Sequence, residues 1–256
     1  MKLGVCTNPE NLQQIQQAGY DYIEPALFQL EKLTDEAFEQ VKISFKSASI
    51  QAEVFNCFIP GEIPVVGEAV NEGKIDRYLK RALYRASQLG AQVIVFGSGG
   101  ARNIPEGFSR KKAMEQLTDF LTHVSDVLQP YDITVVIEPL NQKECNVLNS
   151  VKEALVLAKA VNRSNIRVLA DLYHMACEDE DMGHIREAGN EYLKHLHIAN
   201  PLGRVYPKLG DKYLYINYFS ALKDIDYKGR LSVEGSAGNF KKDLEESLIF
   251  LKDWVW

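Results

Sequence analysis

The sequence predicts an α/β chain folded as a (β/α)8 TIM barrel, a parallel eight-stranded barrel with outer helices. Three observations carry this prediction. First, short β-preferring runs alternate with helical patterns in eight units, with no linker or shift of composition between them. Second, 256 residues is an ordinary length for a barrel built as one domain, so residues 1–256 are expected to form a single unit. Third, four consecutive strand candidates end in Glu138, Asp171, His197 and Glu234, and a barrel places its chemistry at the C-terminal strand ends. A doubly wound open sheet would want a glycine-rich fingerprint after the first strand, and Thr7-Asn8-Pro9 is not one.

In chain order, Lys2–Cys6 reads as the first strand, and Asn8-Pro9-Glu10 opens a helix that Gly19 stops. Tyr20–Glu24 is the second strand, ending in an acid before Pro25. Thr34-Asp35-Glu36 begins a helix with acids in its first turn, where they suit the helix dipole. Ile50–Cys57 is the third strand. Phe58–Gly73, punctuated by Pro60, Gly61, Pro64 and Gly67, is the longest irregular stretch, a length that usually serves function. Lys74–Leu89 is helical on the spacing of Ile75, Leu79, Ala82, Leu83 and Ala86, and Gly90 closes it.

Gln92–Phe96 is the fourth strand, followed by the glycine-rich Gly97–Arg102 and a long helix over Ser109–Leu128. The run Ile133-Thr134-Val135-Val136-Ile137 has no internal side alternation, as a strand buried on both faces requires. The remaining units are a helix over Ser150–Val161, a strand to Asp171, a helix near Asp181–Gly189, a strand to His197, a helix near Ile216–Lys223, a strand to Glu234 and a last helix over Phe240–Lys252. Trp254-Val255-Trp256 is expected to pack that helix against the barrel or a neighbouring subunit.

Composition narrows the class. An apolar fraction of 46% is enough for a core, and 25% charged residues is ordinary for a soluble chain. The net charge of −6 argues against a nucleic-acid partner. No run approaches membrane-spanning length and the start lacks a signal-peptide core, so no membrane partner is expected and the location is read as cytoplasmic. Cys6, Cys57, Cys145 and Cys177 show no CxxC pairing, which suits reduced thiols.

The strand-end residues suggest one metal site. An acid at the tip of a buried strand is costly unless a cation meets it. A hard divalent ion suits two or three carboxylates and an imidazole, and Glu138, Asp171, His197 and Glu234 supply that set from four neighbouring strands. Taken singly, each acid could instead cap the turn that follows it. His174 stands three residues past Asp171, placed to ligate or to meet a substrate oxygen, and Glu144 and Arg204 lie on loops within reach of the mouth. His195 shares parity with His197 and is expected deeper in the barrel, as a structural or supporting group. His123 and His184 fall on helices. Gly97–Arg102 could form a backbone nest for phosphate with Arg102 as partner, although it lacks the lysine and spacing of a P-loop.

The ordered series Ile-Glu138-Pro, Ala-Asp171-Leu-Tyr-His174, His195-Leu-His197-Ile and Ser-Val-Glu234-Gly resembles the xylose-isomerase-like TIM barrels, the sugar-phosphate isomerase/epimerase superfamily, and is nearest in motif to the ketose 3-epimerases. The resemblance spans nearly the whole chain. It implies one Mn²⁺ or Mg²⁺, with Zn²⁺ or Co²⁺ as alternatives, held by Glu138, Asp171, His197 and Glu234. It further implies that Glu138 and Glu234 exchange a proton on the carbon beside a carbonyl, from opposite faces. Glu144, His174 and Arg204 match the positions that hold the substrate's oxygens. A small-molecule sugar is the implied partner, and a homo-oligomer is left open. An inosose-type dehydratase with the same metal, or a binding member without catalysis, would carry the same residues. An endonuclease IV-like nuclease fits poorly: the third and fourth strand ends lack histidine, and Tyr213 stands where an Asp-x-His motif starting at Asp211 would need one.

Overall fold

The computed structural model describes residues 1–213 and 215–255. Its strands are β1 (Lys2–Cys6), β2 (Tyr22–Glu24), β3 (Val54–Phe55), β4 (Val93–Phe96), β5 (Thr134–Ile137), β6 (Ile166–Asp171), β7 (Leu193–Ile198) and β8 (Arg230–Val233). The helices are α1 (Leu12–Ala18), α2 (Leu27–Lys32), α3 (Asp35–Lys46), α4 (Glu72–Gln88), α5 (Gly99–Arg102), α6 (Arg110–Val127), α7 (Val151–Val161), α8 (Leu172–Cys177), α9 (Gly183–Tyr192), α10 (Ile216–Asp224) and α11 (Phe240–Lys252). All strand pairs are parallel in the order β2-β1-β8-β7-β6-β5-β4-β3. Single bridges, Tyr22 to Gln51 and Ala26 to Asn56, bring the two ends of the sheet together. The result is a nearly closed (β/α)8 barrel with its helices outside.

Alternation along each strand divides the apolar residues into two sets. Val93, Val95, Val136 and Leu169 join Tyr22 and Val54 in a cluster inside the barrel. Ile94, Phe96, Val135 and Ile137 instead join the apolar faces of the helices in the larger outer core. Gly4 is where this packing demands glycine, since a Cβ there would lie 2.2 Å from the Tyr22 ring. The floor is ionic: Glu53 accepts from Lys2 Nζ at 2.6 Å and from Arg230 Nε at 2.7 Å.

Several local expectations change. The second strand begins at Tyr22 instead of Tyr20, because the Asp21 side chain turns back to accept from the Leu3 amide at 2.7 Å. The third strand shrinks to Val54–Phe55, cut off by Cys57, whose φ of 47° is left-handed. Three short helices (α2, α5, α8) have no counterpart in the sequence reading: α2 and α5 lack a side-chain N-cap, and α8 takes its cap from the last residue of β6. His123 lies on α6 and His184 on α9 as expected. Trp254 stacks on Phe219 of α10 with ring centres 4.6 Å apart, whereas Trp256 lies outside the described residues. No helix among the described residues is long and apolar enough to cross a membrane.

Candidate metal centre and active site

The ends of β5, β6, β7 and β8 bring Glu138, Asp171, His197 and Glu234 into one group, with one donor atom from each within 4.8 Å of the others. Neighbouring parallel strands present their termini side by side, so four residues far apart in sequence become a ring. Glu138 reaches the ring because Gly97 has no side chain: a Cβ there would lie 2.0 Å from Glu138 Oε2. Asp171 is divided between two tasks. Its Oδ1 accepts from the Tyr173 amide at 2.6 Å and so caps α8, while its Oδ2 is buried with no hydrogen-bond partner. The capping reading therefore accounts for one oxygen only.

The ring is electrostatically tense. His197 is fully buried, with Nδ1 2.8 Å from Glu138 Oε1, 3.6 Å from Glu234 Oε2 and 4.0 Å from Asp171 Oδ2. Burial opposes charging of this imidazole, but the carboxylates of Glu24, Glu234 and Glu138 prevail and hold it well above its ordinary pKa. Burial likewise opposes ionisation of Glu138, yet His197 beside it keeps that carboxyl below the usual range. Glu234 moves the other way, to about 7, through burial and repulsion from Glu138 and Asp171, against the pull of His197. Three carboxylates converging on one space with an orphaned oxygen among them make a donor set suited to a hard divalent cation.

The residues expected at the mouth surround the same space. His174 is buried, and its Nδ1 accepts from the Asn141 amide at 3.1 Å, which leaves the ring proton on Nε2, 3.7 Å from Asp171 Oδ2. Arg204, on the loop after β7, donates from Nη2 to Glu234 Oε2 at 2.7 Å and from Nη1 to Glu144 Oε1 at 3.2 Å. Its guanidinium lies 4.5 Å from the centre of the Tyr173 ring. Glu144 Oε1 also accepts from Asn141 Nδ2 at 2.9 Å. A cavity of about 370 Å³ opens among Glu138, Glu144, His174, Arg204 and Glu234, walled by Phe28 and Cys57. A larger cavity of about 590 Å³ between α4 and α6 contains none of these residues.

The nest reading of Gly97–Arg102 does not survive the geometry. Arg102 is fully buried and points away from solvent, with Nη1 donating to the Phe96 carbonyl at 2.6 Å and Nη2 to the Glu138 carbonyl at 2.7 Å. It ties the ends of β4 and β5 together, and its buried guanidinium is not presented to a phosphate in solvent. In the other direction, the sequence reading omitted Glu24 from the site. This fully buried carboxylate, at the end of β2, lies 2.8 Å from His197 Nε2, 2.9 Å from His195 Nε2 and 2.5 Å from Ser232 Oγ. The signal was present, an acid ending a strand before a proline, but β2 is distant in sequence from β7 and only barrel closure brings them together. His195 lies inside the barrel beneath His197, as its parity suggested.

Fold and residues together define a (β/α)8 barrel with a carboxylate–imidazole cluster at its C-terminal mouth. The chain belongs to the xylose isomerase-like TIM barrel family, whose model matches residues 12–254. Among relatives, it is 27% identical to the D-psicose 3-epimerase of Ruminiclostridium cellulolyticum over 125 residues, 49% of this chain and 42% of that protein. It is 23% identical to the D-psicose 3-epimerase of Agrobacterium fabrum over 232 residues, 87% of this chain and 77% of that one. The match to the first of these thus spans less than half of its length. In structure, a D-allulose 3-epimerase from Methylomonas sp. in complex with D-allulose superposes with a TM-score of 0.87 over 100% of this chain and 97% of that one, at 20% identity. That likeness speaks for the fold.

Proposed function

We propose that the chain is a divalent-metal-dependent sugar isomerase or epimerase that moves a proton at the carbon beside a ketose carbonyl. The observation that carries this reading is the ring of Glu138, Asp171, His197 and Glu234, with donor atoms within 4.8 Å of one another and Asp171 Oδ2 left unpartnered. Mn²⁺ or Mg²⁺ held there would polarise the carbonyl and make the adjacent C–H more acidic. The named activities of the relatives agree with the proton chemistry.

Within that scheme Glu138 and Glu234 are the acid/base pair. Burial and the neighbouring carboxylates raise Glu234 to about 7, and a divalent cation in the ring would offset that repulsion and favour the carboxylate, the form that can take a proton as general base. His174 presents an Nε2 proton toward the cavity and is placed to donate to a substrate oxygen. Arg204 and Glu144 form a paired arm over the mouth that can donate to and accept from sugar hydroxyls. Among the described residues lining the cavity Arg204 is the one arginine or lysine, and two carboxylates already engage it, which favours a neutral ketose over a sugar phosphate.

Incubation of ketoses, ketose phosphates and inososes with the Mn²⁺-supplied protein in D₂O, read by NMR after metal removal, tests the proposal. A mass-neutral product labelled at the carbon beside the carbonyl is expected. An enone from an inosose would assign a dehydratase instead, and binding without any exchange of hydrogen would assign a sugar-binding protein.

A further inference from the structure

Glu24 lies outside the ring yet accepts from Ser232, His195 and His197. Tyr22 Oη is 2.8 Å from Ser232 Oγ, and Ser232 Oγ is 2.5 Å from Glu24 Oε2. The simplest ordering has the tyrosine donating to the serine and the serine donating to the carboxylate. His195 Nε2 donates to Glu24 Oε2 at 2.9 Å, while the other ring nitrogen, Nδ1, is buried without a partner, as an unprotonated nitrogen would be. His197 Nε2 donates to Glu24 Oε1 at 2.8 Å. A carboxylate in an apolar interior is sustained by several donors of this kind.

The consequence concerns the other end of His197. An imidazole ligates through an unprotonated nitrogen, and the partner of its second nitrogen decides which one that is. With Nε2 committed to Glu24, only Nδ1 remains, and Nδ1 is the nitrogen facing Glu138, Asp171 and Glu234. We propose that Glu24 is a positioning residue that holds His197 in the Nε2-protonated form and fixed orientation required to ligate the divalent metal through Nδ1. This rests on the metal site of the preceding reading. His195 and Ser232 serve by holding Glu24 in turn, which gives the two buried polar groups a task that barrel packing alone does not.

Replacement by glutamine puts an amide where the carboxylate was. A glutamine has one acceptor oxygen for His195, His197 and Ser232, and its NH₂ facing His197 would favour the Nδ1-protonated form that cannot ligate. The test is the affinity of the full-length Glu24→Gln protein for Mn²⁺ and for Zn²⁺, each by chelator competition, alongside the melting temperature without metal. Loss of an outer hydrogen-bond partner of a ligating histidine weakens metal binding by about 10–100-fold, and that range is expected with the metal-free melting temperature retained. Ser232→Ala, which leaves the carboxylate but removes one donor, should weaken both metals in the same direction and by less, and it decides the matter if Glu24→Gln does not fold. Unchanged affinity in the folded variant overturns the role of Glu24 while the metal site stands. Wild-type protein that binds neither metal overturns both.

Discussion

Arg204 donates from Nη2 to Glu234 Oε2 at 2.7 Å, so the carboxyl proposed as base shares its charge with the arm proposed to hold substrate. The guanidinium favours the ionised form of Glu234, opposing burial and the neighbouring carboxylates that raise it to about 7. Removing the arm therefore moves the Glu234 carboxyl further up. In Arg204→Ala the acid limb of the kcat/KM profile should shift to higher pH, together with a rise in KM from the lost contact. An unmoved limb would detach Glu234 from the ionisation that governs the rate.

The glycine before Ser98 is a matter of space. In Gly97→Ala the new Cβ would lie 2.0 Å from Glu138 Oε2, so the carboxylate must leave its place in the ring. Metal content after dialysis against limiting Mn²⁺ should fall well below wild type. Retention of full metal would mean that Glu138 is not needed at its present position.

Arg102 offers a prediction of stability. Its guanidinium satisfies the carbonyls of Phe96 and Glu138, both in the interior. Arg102→Met leaves the Phe96 carbonyl its bond from the Glu138 amide at 3.2 Å but takes the donor from the Glu138 carbonyl, at a cost of about 1–3 kcal/mol for a buried group left unpaired. Denaturant unfolding measures that loss. Any fall in activity should be the same for neutral and phosphorylated sugars, whereas a selective loss on phosphates would restore the nest reading.

At the barrel floor, burial works against ionisation of Glu53, but Lys2 and Arg230 hold its carboxyl below the ordinary value. The folded pKa is depressed, so this contribution is fully present above the unfolded value of about 4.3 and is lost as pH falls through the folded one. Glu53→Gln should lower the melting temperature near neutrality and flatten its decline on acidification. Parallel curves for wild type and variant would contradict this.

How much the sequence disclosed depends on distance along the chain. The four residues of the ring close successive strands, β5 to β8, and recur in one pattern, so chain order alone exposed them as a group. Glu24 shows the same local pattern, but its partners His195 and His197 lie more than half the chain away, and only closure of the sheet joins them. Arg102 misled for a different reason: a basic residue after glycines looks exposed, and its burial depends on carbonyls of two strands that sequence cannot orient. The short helix α8 escaped because its cap, Asp171, is also the last residue of a strand. A residue with two tasks gives only one local signal.

The central claim is that Glu138 and Glu234 exchange the substrate proton. Both are also proposed ligands, so activity is informative only with metal content measured in parallel. Glutamine keeps an oxygen donor and cannot take the proton. On a ketose the wild type turns over, metal-loaded Glu138→Gln and Glu234→Gln should each lose roughly 10²–10⁴-fold in conversion, as removal of general acid–base catalysis does. If the enzyme epimerises, one of the two should still exchange substrate hydrogen with D₂O. Full turnover by metal-loaded Glu234→Gln would contradict the account and leave that residue a ligand alone.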